Sequence, residues 1–170
     1  QLDPHSTYIP SQNYDQVQDE MRGDFVGVGL SFFTINDTIA IINTIPGGPS
    51  EQSGLLPGDR IIAANNQSLI TTQLTTDSII RVLKGQPDTE VNLKIKRPDQ
   101  EKILDFSLIR KRVPLKSVDA GFMLNDSLGY IKINRFSETT YSEFKAKLNQ
   151  LEIENPTGIV IDLRDNGGGY

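Results

Sequence analysis

The sequence contains no cysteine and a single histidine, His5. Without cysteine there can be no disulfide, no thiolate metal site and no cysteine nucleophile, although the compartment stays open. One histidine leaves almost no room for a zinc site, and it admits a Ser-His-Asp triad only if His5 itself takes part. His5 stands in a turn before Ser6 and reads as a loop residue. No run approaches the ~18 apolar residues that cross a bilayer, and no signal peptide starts the chain. If the protein is exported, its targeting segment lies outside these residues. Positive charge is also short: 17 Lys and Arg against 22 Asp and Glu leave a net charge of −5. That balance argues against nucleic acid as a partner. The cluster Arg110-Lys111-Arg112 with Lys116 reads as a solvated strand edge or linker.

What is present describes a soluble globular chain of 170 residues, 36% apolar and 23% charged, with 14 glycines. That length suits one domain, or one domain and part of another. The chain is organised around Asp24-Phe25-Val26-Gly27-Val28-Gly29-Leu30, followed by Ser31-Phe32-Phe33. A Gly-x-Gly among apolar residues at the mouth of a strand gives a loop with little side-chain bulk. Its N–H groups can form a concavity that captures an anion, such as a peptide's terminal carboxylate, and the next strand can accept the peptide as an added strand. The alternative is that Gly27 and Gly29 only relieve crowding at a bulge or turn.

Residues 1–23 read as a lead-in, with Asp3-Pro4 as a turn and Val17 and Met21 as one weak helical stripe. Val26 to Thr34 is β-like, Asn36-Asp37 turns, and Thr38 to Thr44 is a second strand broken by Gly47-Gly48-Pro49. Ser50 to Ser53 fits one helical turn that Gly54 ends, before Pro57-Gly58-Asp59 and the strand Arg60 to Ala64. Thr75 to Lys84 is helical, with Ile79, Val82 and Leu83 spaced i, i+3, i+4 and Gly85 as the stop. Val91, Leu93 and Ile95, then Leu104, Phe106 and Leu108, alternate about the turn Pro98-Asp99-Gln100, which predicts a hairpin with one buried face.

A second part starts near Arg112. Leu128 to Asn134 is a strand, and Thr140 to Leu151 a helix with Thr140 and Glu143 as capping box and Phe144, Leu148 and Leu151 as apolar stripe. Gly158 to Leu163 is a continuous apolar run that suits a strand buried on both faces. Arg164-Asp165-Asn166-Gly167-Gly168-Gly169-Tyr170 follow, so this part reads as a truncated α/β segment.

Taken together, Gly27-Val28-Gly29-Leu30, Pro49 to Leu55, Pro57-Gly58-Asp59-Arg60-Ile61-Ile62 and the helix before Gly85 resemble a PDZ domain of the permuted bacterial kind. The flanks Leu2 to Tyr8, Gly129 to Ile133 and Ile161-Asp162-Leu163-Arg164-Asp165-Asn166-Gly167-Gly168-Gly169 narrow the resemblance to the carboxyl-terminal processing (tail-specific) proteases. The resemblance covers essentially the whole chain. It implies an α+β architecture: a PDZ-like, partly open β-barrel or sandwich with a groove helix over 24–111, then the incomplete start of a protease core over 112–170. It also implies serine endopeptidases that use a Ser/Lys dyad, need no cofactor or metal, and act in the periplasm or cell envelope.

In that family both dyad residues lie beyond the glycine segment, so the 170-residue chain is expected to lack nucleophile and base. Ser142 and Lys145 match a Ser-x-x-Lys pattern, but they fall on the polar side of an amphipathic helix, away from the burial that a lysine base requires. The resemblance implies that an N–H near Gly168 or Gly169 serves the oxyanion hole; a plain turn and a phosphate loop are the other readings. Asp162 and Asp165 read as local caps or pairs rather than metal ligands. For the groove, Val26, Gly27 and Val28 present amides to the carboxylate, the tail lies antiparallel to the strand Gly29 to Phe33 that includes Leu30, and Thr76, Ile80 and Leu83 line the helical wall. Ile80 and Leu83 imply an aliphatic or small apolar terminal residue, and Thr76 stands where some PDZ domains place histidine. Ile79 and Val82 read as core. The partners implied are protein substrates held by their C-terminal tails. A stand-alone adaptor and an occluded, assembly-only PDZ remain as alternatives.

Overall fold

A glycine splits the first long apolar run into two strands. The computed structural model describes residues 8–35, 37–70 and 75–170; His5, Asn36 and the segment 2–7 lie outside the described residues. β1 (Asp24–Gly27) and β2 (Leu30–Ile35) are separated at Val28-Gly29, where Gly29 takes φ +73. An L residue is strained there. The stretch 26–34, expected as one β-like segment, therefore bends in its middle.

Phe25–Val113 forms one compact unit. β2 pairs antiparallel with β3 (Thr38–Thr44), with a bulge between Ser31 and Phe32. Pro49 opens the short α2 (Pro49–Gln52), a position where its missing N–H costs nothing. β4 (Arg60–Ala64) turns through Asn65 and Asn66, both at positive φ, into β5 (Gln67–Ser68). Asn is among the residues that tolerate such a two-residue hairpin turn. α3 (Thr76–Leu83) starts at Thr75, whose hydroxyl accepts the Ser78 N–H at 3.2 Å. β6 (Glu90–Lys96) and β7 (Ile103–Ile109) form the expected hairpin, and β8 (Lys111–Pro114) returns to pair with β1. The larger sheet runs β2-β3-β4-β6-β7 with β5 beside β4, and it stays open rather than closing into a barrel. Ile39, Ile41, Ile61, Ile79, Val91, Leu93 and Ile95 meet in its core. These are the inward positions of the strand alternation and the buried face of α3.

The other unit joins the described part of Gln1–Asp24 to Pro114–Tyr170. α1 (Ser11–Arg22) ends at Gly23 in the left-handed conformation, and the Met21 carbonyl accepts the Glu138 N–H. The lead-in thus belongs to the same compact unit as the C-terminal part. β9 (Val118–Met123), β10 (Leu128–Ile133) and β11 (Gly158–Asp162) form a sheet in the order β11-β10-β9. α4 (Thr140–Glu152) carries the chain from β10 to the parallel β11. Val118, Ile131, Ile133 and Leu151 are buried, with Phe144, Leu148 and Ile159 packed on them.

Two expectations fail here. The capping box at α4 does not form: Thr139 is the N-cap, no side chain caps the helix, and Thr140 Oγ1 accepts the Ser137 N–H. Glu143 instead receives the Ser117 N–H, the Ser117 hydroxyl and the Val118 N–H at 2.9 to 3.1 Å, tying α4 to the start of β9. These donors compete for the same carboxylate, and three of them outweigh one local N–H. Nor is β11 buried on both faces: Val160, Ile161 and Leu163 are 41%, 50% and 48% exposed, because β11 stands at the sheet's edge among the described residues. β9 escaped the sequence reading, since Asp119 and Gly121 interrupt its alternation.

Candidate functional site

The elements expected from the sequence to form the groove are β1, the Val28-Gly29 turn, β2 and α3. Val28 O accepts both the N–H and the hydroxyl of Ser50, at 2.9 and 2.7 Å, and Gly29 O accepts the Ile45 N–H at 2.9 Å. These carbonyls point inward, and every described peptide bond is trans. The N–H opposite each carbonyl, those of Gly29 and Leu30, consequently points the other way. The Ile45-to-Gly29 bond also makes Leu30 and Thr44 a non-hydrogen-bonded pair. Leu30 N–H then leaves the outer edge of β2, which ends the sheet among the described residues. Gly27 pairs with Lys84 in an isolated bridge, which sets the loop at the C-terminal end of α3. A Cβ on Gly27 would lie 2.9 Å from the Phe25 ring and 3.4 Å from Leu83 O.

The structure brings Val26, Gly27, Val28, Gly29 and Leu30 together at that end. The helix residues divide. Thr76 is exposed and Ile80 half-buried, whereas Leu83, only 5% exposed, packs in the core with Ile79. Val82 packs against the same core as expected. Of the three wall residues, Ile80 alone combines apolar character with accessible surface. Ser50 was not singled out from the sequence, since a serine in a short helix carries no signal of a partner 22 residues away.

The glycine loop lies in the other unit. Asp162 ends β11 nearly buried and accepts the Arg164 guanidinium at 2.7 Å, the Arg164 N–H at 2.9 Å and the Tyr130 hydroxyl at 2.5 Å. The Arg164 side chain, then the Tyr130 hydroxyl and the Arg164 N–H, hold its carboxyl well below the usual carboxylate range. Asn166 links the two strand ends: its Nδ2 donates to Ile133 O at 2.9 Å and its Oδ1 accepts the Gly168 N–H at 2.8 Å. Phe136 N–H donates to Gly168 O, and Tyr170 N–H to Phe136 O. Of the two glycine amides named for the oxyanion hole, that of Gly168 is thus engaged by Asn166. Beside the loop is a cleft of about 390 Å³, lined by Val17, Glu20 and Met21 of α1, by Arg135 and Phe136, and by Gly167 to Gly169. Tyr130, Arg164 and Asn166 were missed because their partners are distant in sequence or set by loop geometry.

Ser142 and Lys145 are exposed on α4, and the Ser142 hydroxyl donates to Thr139 O at 2.8 Å. Neither is placed to act as base or nucleophile. Asp162 and Asp165 make no metal cluster: among the described residues no group of three ligating side chains converges.

Acid should loosen the unit that holds this loop. Burial by itself would raise the Glu143 carboxyl, but hydrogen bonds from Thr139, Val118 and Ser117 overcome it and hold the carboxyl below its ordinary value. Asp162 is lowered as well. Carboxyls depressed in the folded state stabilise it fully above their unfolded pKa of about 4, and lose that contribution as pH falls through the folded values. Urea midpoints followed through amides of residues 118–162 should fall between pH 5 and pH 3 (order of magnitude from). Glu143→Gln should flatten that fall, and an unchanged slope would remove Glu143 from the account.

Comparison with known proteins places these elements. Residues 41–97 match the PDZ domain family, and residues 127–170 match peptidase family S41. A carboxy-terminal processing protease, CtpB of Bacillus subtilis, is 35% identical over 170 residues, covering 99% of this chain and 35% of that protein. A Staphylococcus aureus protein named "Probable CtpA-like serine protease" is 32% identical over 167 residues, 98% of this chain and 32% of that protein. The chain spans about a third of the length of these relatives. In fold it is similar to a photosystem II D1 C-terminal processing protease, with a TM-score of 0.56 and 22% identity over 87% of this chain and 42% of that one.

Proposed function

We propose that this chain, which joins a PDZ domain to the opening segment of a peptidase family S41 domain in the manner of the carboxyl-terminal processing proteases, is the substrate-recognition portion of a serine endopeptidase. The PDZ domain takes the C-terminal tail of a protein substrate as an extra strand on β2. The enzyme then cuts that substrate near its C-terminus, using a Ser/Lys dyad supplied from outside residues 1–170. A lysine can be the general base there only if burial brings its pKa down toward neutrality. The 170 residues by themselves are expected not to hydrolyse peptides. An exported location, in the periplasm or cell envelope, belongs to the same reading.

The observation that carries it is the outward N–H of Leu30 on the terminal strand β2, beside a glycine loop held at the end of α3. Main-chain bonding along that edge supplies affinity, and Ile80 favours an aliphatic or small apolar terminal residue. The adaptor reading finds less support, because an adaptor does not need the S41 segment.

Fluorescence anisotropy with labelled peptides ending in Ala, Val or Leu tests the proposal, each as free acid and as C-terminal amide. Micromolar binding that disappears on amidation is expected. Gly27→Pro, which removes an N–H and stiffens the loop, should abolish it. Equal binding of both forms, or none, would overturn the open groove and leave an occluded domain serving gating or assembly.

A further inference from the structure

The larger sheet of Phe25–Val113 has two ends, and β2 occupies only one of them. β7 forms the other, with no strand beyond it among the described residues. Arg110 N–H donates to Thr89 O at 2.8 Å, and antiparallel bonding alternates from there. Leu104, Phe106 and Leu108 therefore turn their main-chain groups toward β6, while Ile103, Asp105, Ser107 and Ile109 turn theirs off the free edge. A bare edge is a template for another strand, and proteins blunt it with bulges, prolines or lysines. β2 carries such a bulge between Ser31 and Phe32. β7 does not: it keeps an unbroken register with β6 over 7 residues and contains no proline, glycine or lysine. Its outward face has Ile103 and Ile109 at the ends, 51% and 42% exposed, with Asp105 and Ser107 between them.

We propose that β7 is a self-recognition edge, which pairs antiparallel with β7 of a second copy of this chain about a two-fold axis at Phe106. In that register Ile103 lies opposite Ile109 of the second copy, so the exposed apolar ends cover each other. Asp105 lies opposite Ser107, and its charge is already engaged by Lys94 Nζ at 2.8 Å. These residues are the ones whose main-chain groups leave the edge, so each opposed pair exchanges both of its bonds. An axis at Asp105 would set that carboxylate against itself, and an axis at Ser107 would set it against Ile109. Charge on β6 favours the same arrangement. Lys96 stands beside Ile103 and Lys94 beside Asp105, whereas Glu90 stands beside Ile109. The antiparallel pair thus brings the basic end of each copy to the acidic end of the other. β2 stays free at the far end of the sheet, so the pairing is independent of the groove reading above.

Sedimentation equilibrium of the 170-residue chain, from low micromolar to millimolar concentration, tests the proposal. A dimer with a Kd on the order of 10–100 µM is expected, as for a small, transient contact. Ser107→Pro removes an N–H that β6 does not use, so it spares the fold and should weaken the dimer on the order of tenfold. Ile103→Lys, which sets a charge opposite Ile109, should weaken it by a similar factor. In the wild-type chain, amide exchange at Asp105 and Ser107 should slow as concentration rises, while Leu104, Phe106 and Leu108, already bonded to β6, keep their rates. A monomer at every concentration would overturn the proposal, as would a dimer that leaves exchange at Asp105 and Ser107 unchanged. So would a dimer that both variants leave intact, or association that grows past the dimer. If circular dichroism shows that a variant does not fold, the exchange measurement on the wild-type chain decides alone.

Discussion

Gly169→Ala should cost the C-terminal unit about 3 kcal/mol or more, counting roughly 1 for each of two hydrogen bonds and 1–3 for backbone strain. A Cβ at this position would lie 1.8 Å from Phe136 O and 2.8 Å from its carbonyl carbon, with the backbone at φ +134. No side chain can move aside, because the obstacle is main chain. Relief requires the parallel bridge between Phe136 and Gly169 to open, and with it the bonds from Phe136 N–H to Gly168 O and from Tyr170 N–H to Phe136 O. The neighbouring glycines are built-in controls. Gly167 has open space and no positive φ, so Gly167→Ala should stay within about 0.5 kcal/mol. Gly168 has open space at φ +91, so Gly168→Ala should cost about 1 kcal/mol from strain alone. Urea denaturation of the three variants, with amide exchange read at Phe136 and Tyr170, gives the ordering. Equal costs at 167 and 169 would show that the loop does not close on Phe136.

The second large effect is expected in the unit Phe25–Val113, at Asp59→Ala. Asp59 is 1% exposed, and it accepts Arg97 Nε and Nη2, both at 2.7 Å, and the Leu56 N–H at 3.0 Å. Its main chain is held as well, since Asp59 O accepts the Ile41 N–H and Gly58 N–H donates to Ile41 O. The turn Pro57-Gly58-Asp59 is therefore clamped between β3 and Arg97. Arg97 in turn donates to Gly54 O at 3.1 Å and lies 6.0 Å from the Phe106 ring centroid. Removing one member of such a pair leaves the other charge uncompensated and costs about 3–5 kcal/mol. The Arg97 side chain keeps 19% exposure, which places the expectation at the lower end of that range. Arg97→Ala should cost a similar amount, and the double variant clearly less than the sum of the two. Additive costs in that cycle would mean that Asp59 acts only through the Leu56 N–H, with Arg97 an independent contact.

Much of this molecule was readable from spacing. The α3 stripe, the 91–95 and 104–108 alternation and the stripe on α4 each repeat with the period of their element, and a local period needs no distant partner to be recognised. The glycine loops announced themselves because few residues can take their backbone conformations. The misses share a cause. Glu143 leaves its capping box for donors at Ser117 and Val118, and Leu83 continues the helical period but faces the core rather than the groove. Asn166 binds Ile133 O across 33 residues. Each choice turns on contacts from remote segments that outweigh the side chain's local alternative.

The order of elements, the two glycine loops, the resemblance that joins a PDZ domain to a peptidase segment, and the chemistries excluded by the missing cysteines and the single histidine can all be read along the chain. Those properties are local or compositional. Tertiary packing sets the rest: the Leu30 N–H faces off the edge of β2, Gly169 must lack a side chain, and Arg110 lies buried with its Nη2 on Val82 O. Direction, clearance and burial are relations between segments far apart in the chain, and they come into being only when the packed core brings those segments together.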